Sequence, residues 1–314
     1  GKSGMVVSQN QASSNIGVEI LNMGGNAIDA AVAVGFSLAI TLPRAGNLGG
    51  GGFMLIYLSD EQRTIAVDFR SAAPGNLTEK DFLFLKKNYD QRRYGYKASA
   101  VPGTVAGLLE THKRYGKLSL KQILHPVISQ AKKGIYVSYD LNQAIGSADQ
   151  IKLDDESKNI YYQNDVPLME NKLVKRTDLA WTLNEIANNG QEAFYSGSIS
   201  KKIVKAMKQN NGYISAEDLK NYKPRFSEPI HTTYRNYKIF AHPPPAGGAA
   251  VLLEGLNIIE NFETNDLGPN SADFIHIFAE ALQRGHMDRS RFMGDPLFYD
   301  CLLYTSDAAD DPTC

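Results

Sequence analysis

Two apolar runs set close together dominate the pattern of hydrophobic and polar positions. Phe53 to Leu58 and Thr64 to Phe69 are each nearly continuous in apolar residues, and the polar stretch Asp60-Glu61-Gln62-Arg63 separates them. Runs of this length joined by a short polar loop predict an antiparallel hairpin. The lack of strict alternation predicts that this hairpin is covered on both faces. The glycines Gly49 to Gly52 lead into the first run, and Arg70 stands at the exit of the second, ahead of small residues and Pro74. A guanidinium where a buried strand gives way to a loop is well placed to hold a ligand. The plainer alternative is a solvated or structural arginine.

Elsewhere the apolar positions fall at helical spacing. Ile16, Val18, Ile20 and Leu21 recur along a helix that Gly24-Gly25 ends. Asn26 is suited to cap the next helix, Ala27 to about Thr41, with Asp29 as its reciprocal partner and Pro43 as its stop. Further helices are expected from Thr104 to about Tyr115, Leu120 to Lys133, Asp140 to Ala148 and Thr177 to Ala187. Others follow at Ser198 to Lys208, Ala216 to Tyr222, Gly247 to Asn261 and Ala272 to Met293. Pro229 to Arg235 with Tyr237 to Ala241 predicts a second hairpin, while residues 150–175 are polar and expected to be irregular surface. No repeat, low-complexity segment or dividing linker is evident. Helices packed on antiparallel sheet make the fold class α+β.

Composition narrows the function classes. Across 314 residues, Lys+Arg 33 against Asp+Glu 34 leaves almost no net charge, which argues against nucleic acid or anionic membrane as partners. The longest apolar run, Ala30 to Leu42, is too short to span a bilayer. No signal-peptide pattern opens the chain, and residue 1 is Gly rather than Met. The true N-terminus, with any export signal, is expected to be missing. Both cysteines, Cys301 and Cys314, lie in the last stretch, so the body carries no disulfide and no thiol nucleophile. Cys301 to Ser306 reads like translated sequencing adapter. Residues 301–314 are therefore expected to be a non-native tail, an ordinary polar C-terminus being the alternative.

Candidate chemistry is sparse. The glycine run is followed by a strand, with no Lys-Ser/Thr after it, so a phosphate cradle loses to a backbone that approaches another closely or turns at positive φ. Gly1-Lys2-Ser3 imitates the end of a phosphate loop with nothing upstream. Among scattered histidines, His276 and Glu280 alone have metal-pair spacing, and a single such pair is more often a surface contact. No G-x-S-x-G elbow exists. Asp288-Arg289-Ser290 on the last helix is expected to be a local ion pair. Residue types alone thus give no complete catalytic apparatus, and Arg70, whose fork fits a carboxylate, is the candidate site residue.

The order Gly24 to Ala33, then Gly46-Asn47-Leu48-Gly49-Gly50-Gly51-Gly52-Phe53-Met54, then Asp68-Phe69-Arg70 with Ala73-Pro74 resembles the γ-glutamyltransferases. The likeness continues through Val101 to Gly107, Pro243-Pro244-Pro245, Asp288-Arg289-Ser290 and Gly294-Asp295-Pro296, covering residues 4 to about 300. One departure is that Ala246-Gly247-Gly248-Ala249 stands where the bacterial family often has Ser-Ser-Gly-Gly. The resemblance implies an αββα sandwich of the N-terminal-nucleophile hydrolase type, made as a precursor that cuts itself into large and small subunits. Residues 1–300 then look like a large-subunit region, incomplete at both ends and without the nucleophilic threonine, which would begin the small subunit. By motif, Arg70 would bind the α-carboxylate of the γ-glutamyl donor, and no catalytic residue, metal or organic cofactor is implied in this chain. The implied donors are glutathione and related γ-glutamyl compounds. The implied acceptors are water and amino-acid or peptide amines, and the implied location is periplasmic or extracellular. A cephalosporin acylase or a poly-γ-glutamate processing enzyme, and a non-catalytic amino-acid-binding module, are the alternatives.

Overall fold

The computed structural model describes residue 1 and residues 3–301; Lys2 and the expected tail beyond Cys301 lie outside the described residues. The chain forms two compact units that interleave in sequence. One is Gly1–Gly52 with Phe69–Pro224, and the other is Phe53–Asp68 with Arg225–Cys314. The sequence shows no linker because each unit takes its chain from two separated stretches.

The first unit is mainly helical. Gln11–Asn22 packs on Ala27–Thr41, which in turn meets Thr104–Tyr115 and Leu120–Lys133, and the last of these packs on Thr177–Tyr195. Ile20, Phe36, Leu124 and Leu183 are fully buried at these contacts. The expected cap is present: Asn26 accepts from the Ile28 and Asp29 amides, and the Asp29 carboxylate accepts from the Asn26 amide at 2.9 Å. Asp29 is fully buried because it also accepts from the Lys117 and Leu118 amides, at 3.0 and 3.2 Å. One side chain thus starts a helix and pins a turn far along the chain.

Residues 150–175 depart from the expected irregular surface. They form a helix, Asp155–Tyr161, and short strand pairs that close over a cluster of Val137, Leu141, Ile145, Tyr162 and Val174. Its members come from separated segments, so no local periodicity reveals it.

The second unit holds a three-stranded antiparallel sheet in the order Phe53–Leu58, Arg63–Asp68, Arg225–Ser227. Register pairs Phe53 with Asp68, Leu58 with Arg63, and Asp68 with Arg225. The second strand is buried from Thr64 onward. On the first, by contrast, Phe53, Leu55 and Tyr57 are exposed, so among the described residues the hairpin is not covered on both faces. The second hairpin, Ile230–Tyr234 with Tyr237–Ala241, turns at Arg235 and Asn236, both at positive φ. That is the geometry a two-residue hairpin turn with right-handed strand twist requires. The helices Gly247–Ile259 and Ala272–Phe292 pack along one another, and Gly285 admits the Val251 backbone between them. No described helix is long and apolar enough to cross a membrane.

Candidate functional site

Arg70 belongs to the first unit, on a segment fixed from several sides. The Phe69 amide donates to the Gly52 carbonyl at 3.0 Å and the Gly52 amide returns to Phe69 at 3.2 Å. Two residues past Arg70, Ala72 and Val101 exchange backbone hydrogen bonds at 3.1 and 2.8 Å. Between these ties, the Tyr222 hydroxyl donates to the Arg70 carbonyl at 2.6 Å. The Arg70 side chain is exposed. A guanidinium on immobilised backbone loses less entropy when it orients a ligand than one on a mobile loop.

Glycines make room for this arrangement. A methyl on Gly51 would strike the Phe69–Ser71 backbone, one on Gly103 the Phe69 carbonyl and Tyr222 hydroxyl, and one on Gly107 the Phe69 ring. Gly51 is thus required by close backbone approach, the alternative the sequence favoured over a phosphate cradle. Gly50 has a further use. Its carbonyl accepts from the Gly103 and Thr104 amides at 2.8 and 3.1 Å, capping a helix whose N-terminus has no side-chain cap.

Two tyrosines, Tyr195 buried and Tyr222 half-buried, brace the Arg70 segment, and neither stands out in the sequence. Tyr222 stacks on Tyr195, with ring centroids 5.9 Å apart. The Tyr195 hydroxyl donates to the Pro102 carbonyl at 2.8 Å and accepts from the Ala106 amide at 3.0 Å. Burial pushes the Tyr195 phenol well above its ordinary value, so it stays neutral. Asp218 clamps the chain beyond Pro74, one oxygen accepting from the Gly75 amide at 2.8 Å and the other from the Ser215 amide and hydroxyl at 2.8 and 2.7 Å. Burial opposes its charge, but these hydrogen bonds win and hold its carboxyl below the ordinary range.

Asp68, two residues before Arg70, serves a different end within the second unit. It is buried and accepts from both Nη2 and Nε of Arg225, at 2.6 and 3.2 Å. Arg225 Nη1 reaches Asp295 at 3.1 Å. Burial works against the Arg225 charge, but its two carboxylate partners outweigh this and raise its pKa. The pair locks the third strand to the second. Asp295 belongs to the Gly-Asp-Pro stretch legible in the sequence, but Arg225 carries no sequence signal.

Within the second unit a cleft of about 500 Å³ is lined by Pro244, Pro245, Gly247, Arg289, Ser290 and Asp295. Motifs dispersed between residues 243 and 296 therefore meet on one surface. Gly247 lacks the Cβ that would collide with the Arg289 guanidinium. Asp288 does not pair with Arg289 as the sequence suggested, because adjacent residues on a helix do not face each other. It meets Glu254 of the neighbouring helix instead, and burial, the Asp288 charge and their hydrogen bond raise the Glu254 pKa. Glu280 pairs with Arg284 at 2.7 Å, and among the described residues no group of three or more His, Cys, Asp or Glu side chains is arranged to hold a metal ion.

Similarity to solved structures defines the class first. The chain superposes on Helicobacter pylori gamma-glutamyltranspeptidase with a TM-score of 0.93 at 37% identity, covering 99% of this chain and 90% of that one. It superposes on a cephalosporin acylase from Bacillus halodurans with a TM-score of 0.85 at 27% identity, covering 95% of this chain and 56% of that one. The fold is the α+β type of the N-terminal-nucleophile hydrolases. Residues 13–310 match the sequence profile described as Gamma-glutamyltranspeptidase, and the chain belongs to that family. It is 40% identical over 301 residues to the glutathione hydrolase proenzyme of Escherichia coli (strain K12), covering 95% of this chain and 52% of that protein. The chain spans about half the length of the curated relatives it matches.

Proposed function

We propose that this chain is the donor-binding part of an enzyme that transfers a γ-glutamyl group from glutathione or a related compound to water or to an amino-acid or peptide amine. Residues 1–300 correspond in this reading to the large-subunit region, and residues 301–314 to a non-native tail. The Arg70 fork grips the donor α-carboxylate in a bidentate pair and so sets the γ-carbonyl before the nucleophile. That nucleophile is the N-terminal threonine of a small subunit cut from the same precursor. Its hydroxyl attacks the γ-carbonyl carbon while its own α-amino group takes the proton. Collapse of the tetrahedral adduct breaks the amide bond, and the proton passes to the leaving amine. Water or an acceptor amine then attacks the γ-glutamyl ester and restores the threonine. Export to the periplasm or beyond belongs to the same reading.

The observation that carries the proposal is Arg70 itself, exposed on a backbone held on both sides, in a chain of this family. The test is the complete enzyme with Arg70→Ala and Arg70→Lys. Loss of the fork should lower kcat/KM for glutathione by about 2–5 kcal/mol of transition-state binding, with lysine recovering part of it. Undiminished kcat/KM in Arg70→Ala would refute the assignment.

The similarity to a cephalosporin acylase supports a second reading, transfer of other acyl groups by the same machinery. Turnover of an acyl donor lacking a free α-carboxylate, at the rate seen with glutathione and indifferent to Arg70, would favour it.

A further inference from the structure

A groove of about 550 Å³ in the first unit is lined by Lys201, Lys205, Lys208 and Lys220 above the apolar side chains of Val204 and Ala216. Lys201, Lys205 and Lys208 lie at i, i+4 and i+7 on the helix Ser198–Gln209, so they share one face, and Lys220 joins them from the helix Ala216–Asn221. No acidic side chain lines the groove, and among the described residues none of the four lysines has an ion-pair partner. Like charges at i,i+4 repel, so this placement costs stability until a counter-charge arrives. Ser196 and Ser200 also line the groove. Overall charge conceals the feature, because 33 basic and 34 acidic residues balance over the whole chain.

We propose that this groove binds a phosphoester that carries at least two negative charges on a short apolar body. Ammonium groups act as point charges that suit a phosphate, and the apolar floor selects against inorganic anions. The concave shape and a volume in the range of small-ligand pockets favour a discrete ligand over a flat surface. Two sources share this chemistry, a free organic phosphate and the headgroup region of an anionic phospholipid.

The test uses the complete protein, with dihexanoyl phosphatidic acid as probe and calorimetry as readout. Binding should occur, weaken as NaCl is raised, and exceed that of inorganic phosphate or dihexanoyl phosphatidylcholine by about tenfold or more. The combined variant Lys201→Gln, Lys205→Gln, Lys208→Gln should lose at least about tenfold in affinity while keeping its circular dichroism spectrum and melting temperature. Competition by phosphatidylglycerol vesicles would assign the ligand to a lipid surface, and binding of the monomeric probe alone to a free phosphoester. No binding by the wild type, equal binding of inorganic phosphate, or binding retained by the triple variant would overturn the proposal.

Discussion

The Tyr222 hydroxyl donates to the Arg70 carbonyl at 2.6 Å, joining positions 152 residues apart. The bond fixes the backbone of the candidate donor-binding arginine and leaves its side chain outside. Tyr222 is itself held by its stack on Tyr195, whose hydroxyl bridges Pro102 and Ala106. Orientation of Arg70 therefore depends on residues that need never touch a ligand.

Tyr222→Phe keeps the ring and removes the donor. A net hydrogen bond contributes about 0.5–1.5 kcal/mol, so a stability loss of that order is expected by denaturant titration. In the complete enzyme the larger effect should fall on kcat/KM for glutathione, since Arg70 is no longer held in register. A variant that lost stability but kept full kcat/KM would separate the tyrosine from ligand orientation.

Gly107→Ala places a methyl in the Phe69 ring. Overpacking of that kind costs about 1–3 kcal/mol, and relief requires moving the residue next to Arg70. Gly146, at the end of the helix Tyr139–Gly146, has open space around it and no positive φ. Gly146→Ala should therefore be neutral or stabilising by up to about 1 kcal/mol. Equal effects of the two substitutions on melting temperature would contradict the close-approach account.

Asp68→Asn should weaken the sheet. The Arg225 side chain is 35% exposed and that of Asp68 only 8%, so water screens one partner and not the other. A loss of about 1–3 kcal/mol is expected, below that of a fully buried pair. A double-mutant cycle with Arg225→Met should return a coupling energy above about 0.5 kcal/mol. Simple additivity would mean that the pair does not hold the strand.

Local signals were legible and distant ones were not. Asn26 and Asp29 announce their cap because both partners lie within one turn, and the Phe53–Asp68 hairpin is a contact between sequence neighbours. Thr78 and Asp81 form another capping box, which a scan for that pattern would have found ahead of the helix Glu79–Lys87. The strand Arg225–Ser227 has only three residues and pairs with a partner more than 150 positions away, so no window of sequence contains its cause. The same holds for the site. Arg70 could be named from residue type and resemblance and Gly51 from the glycine run, whereas the tyrosines and Asp218 that hold the segment act through contacts that form only when the chain folds.

Glu254 gives the clearest pH dependence. Burial, then the charge of Asp288, then the hydrogen bond between the two carboxyls raise its pKa above the ordinary glutamate value of 4.5. The folded chain therefore keeps a proton on Glu254 at pH values where the unfolded chain has released it. Linkage makes the resulting stabilisation complete below the unfolded value and removes it as pH rises through the folded one. Above the folded value the Glu254 charge is held against burial and beside Asp288, and it works against folding. Glu254→Gln retains the shape, offers an amide donor to Asp288 and cannot ionise. Its melting temperature should exceed that of the wild type at pH 8, and the difference should shrink steadily toward pH 4.5. Thermal scans of both proteins across that range decide the matter: a gap that stayed constant with pH would show that the Glu254 charge is not what the folded state opposes.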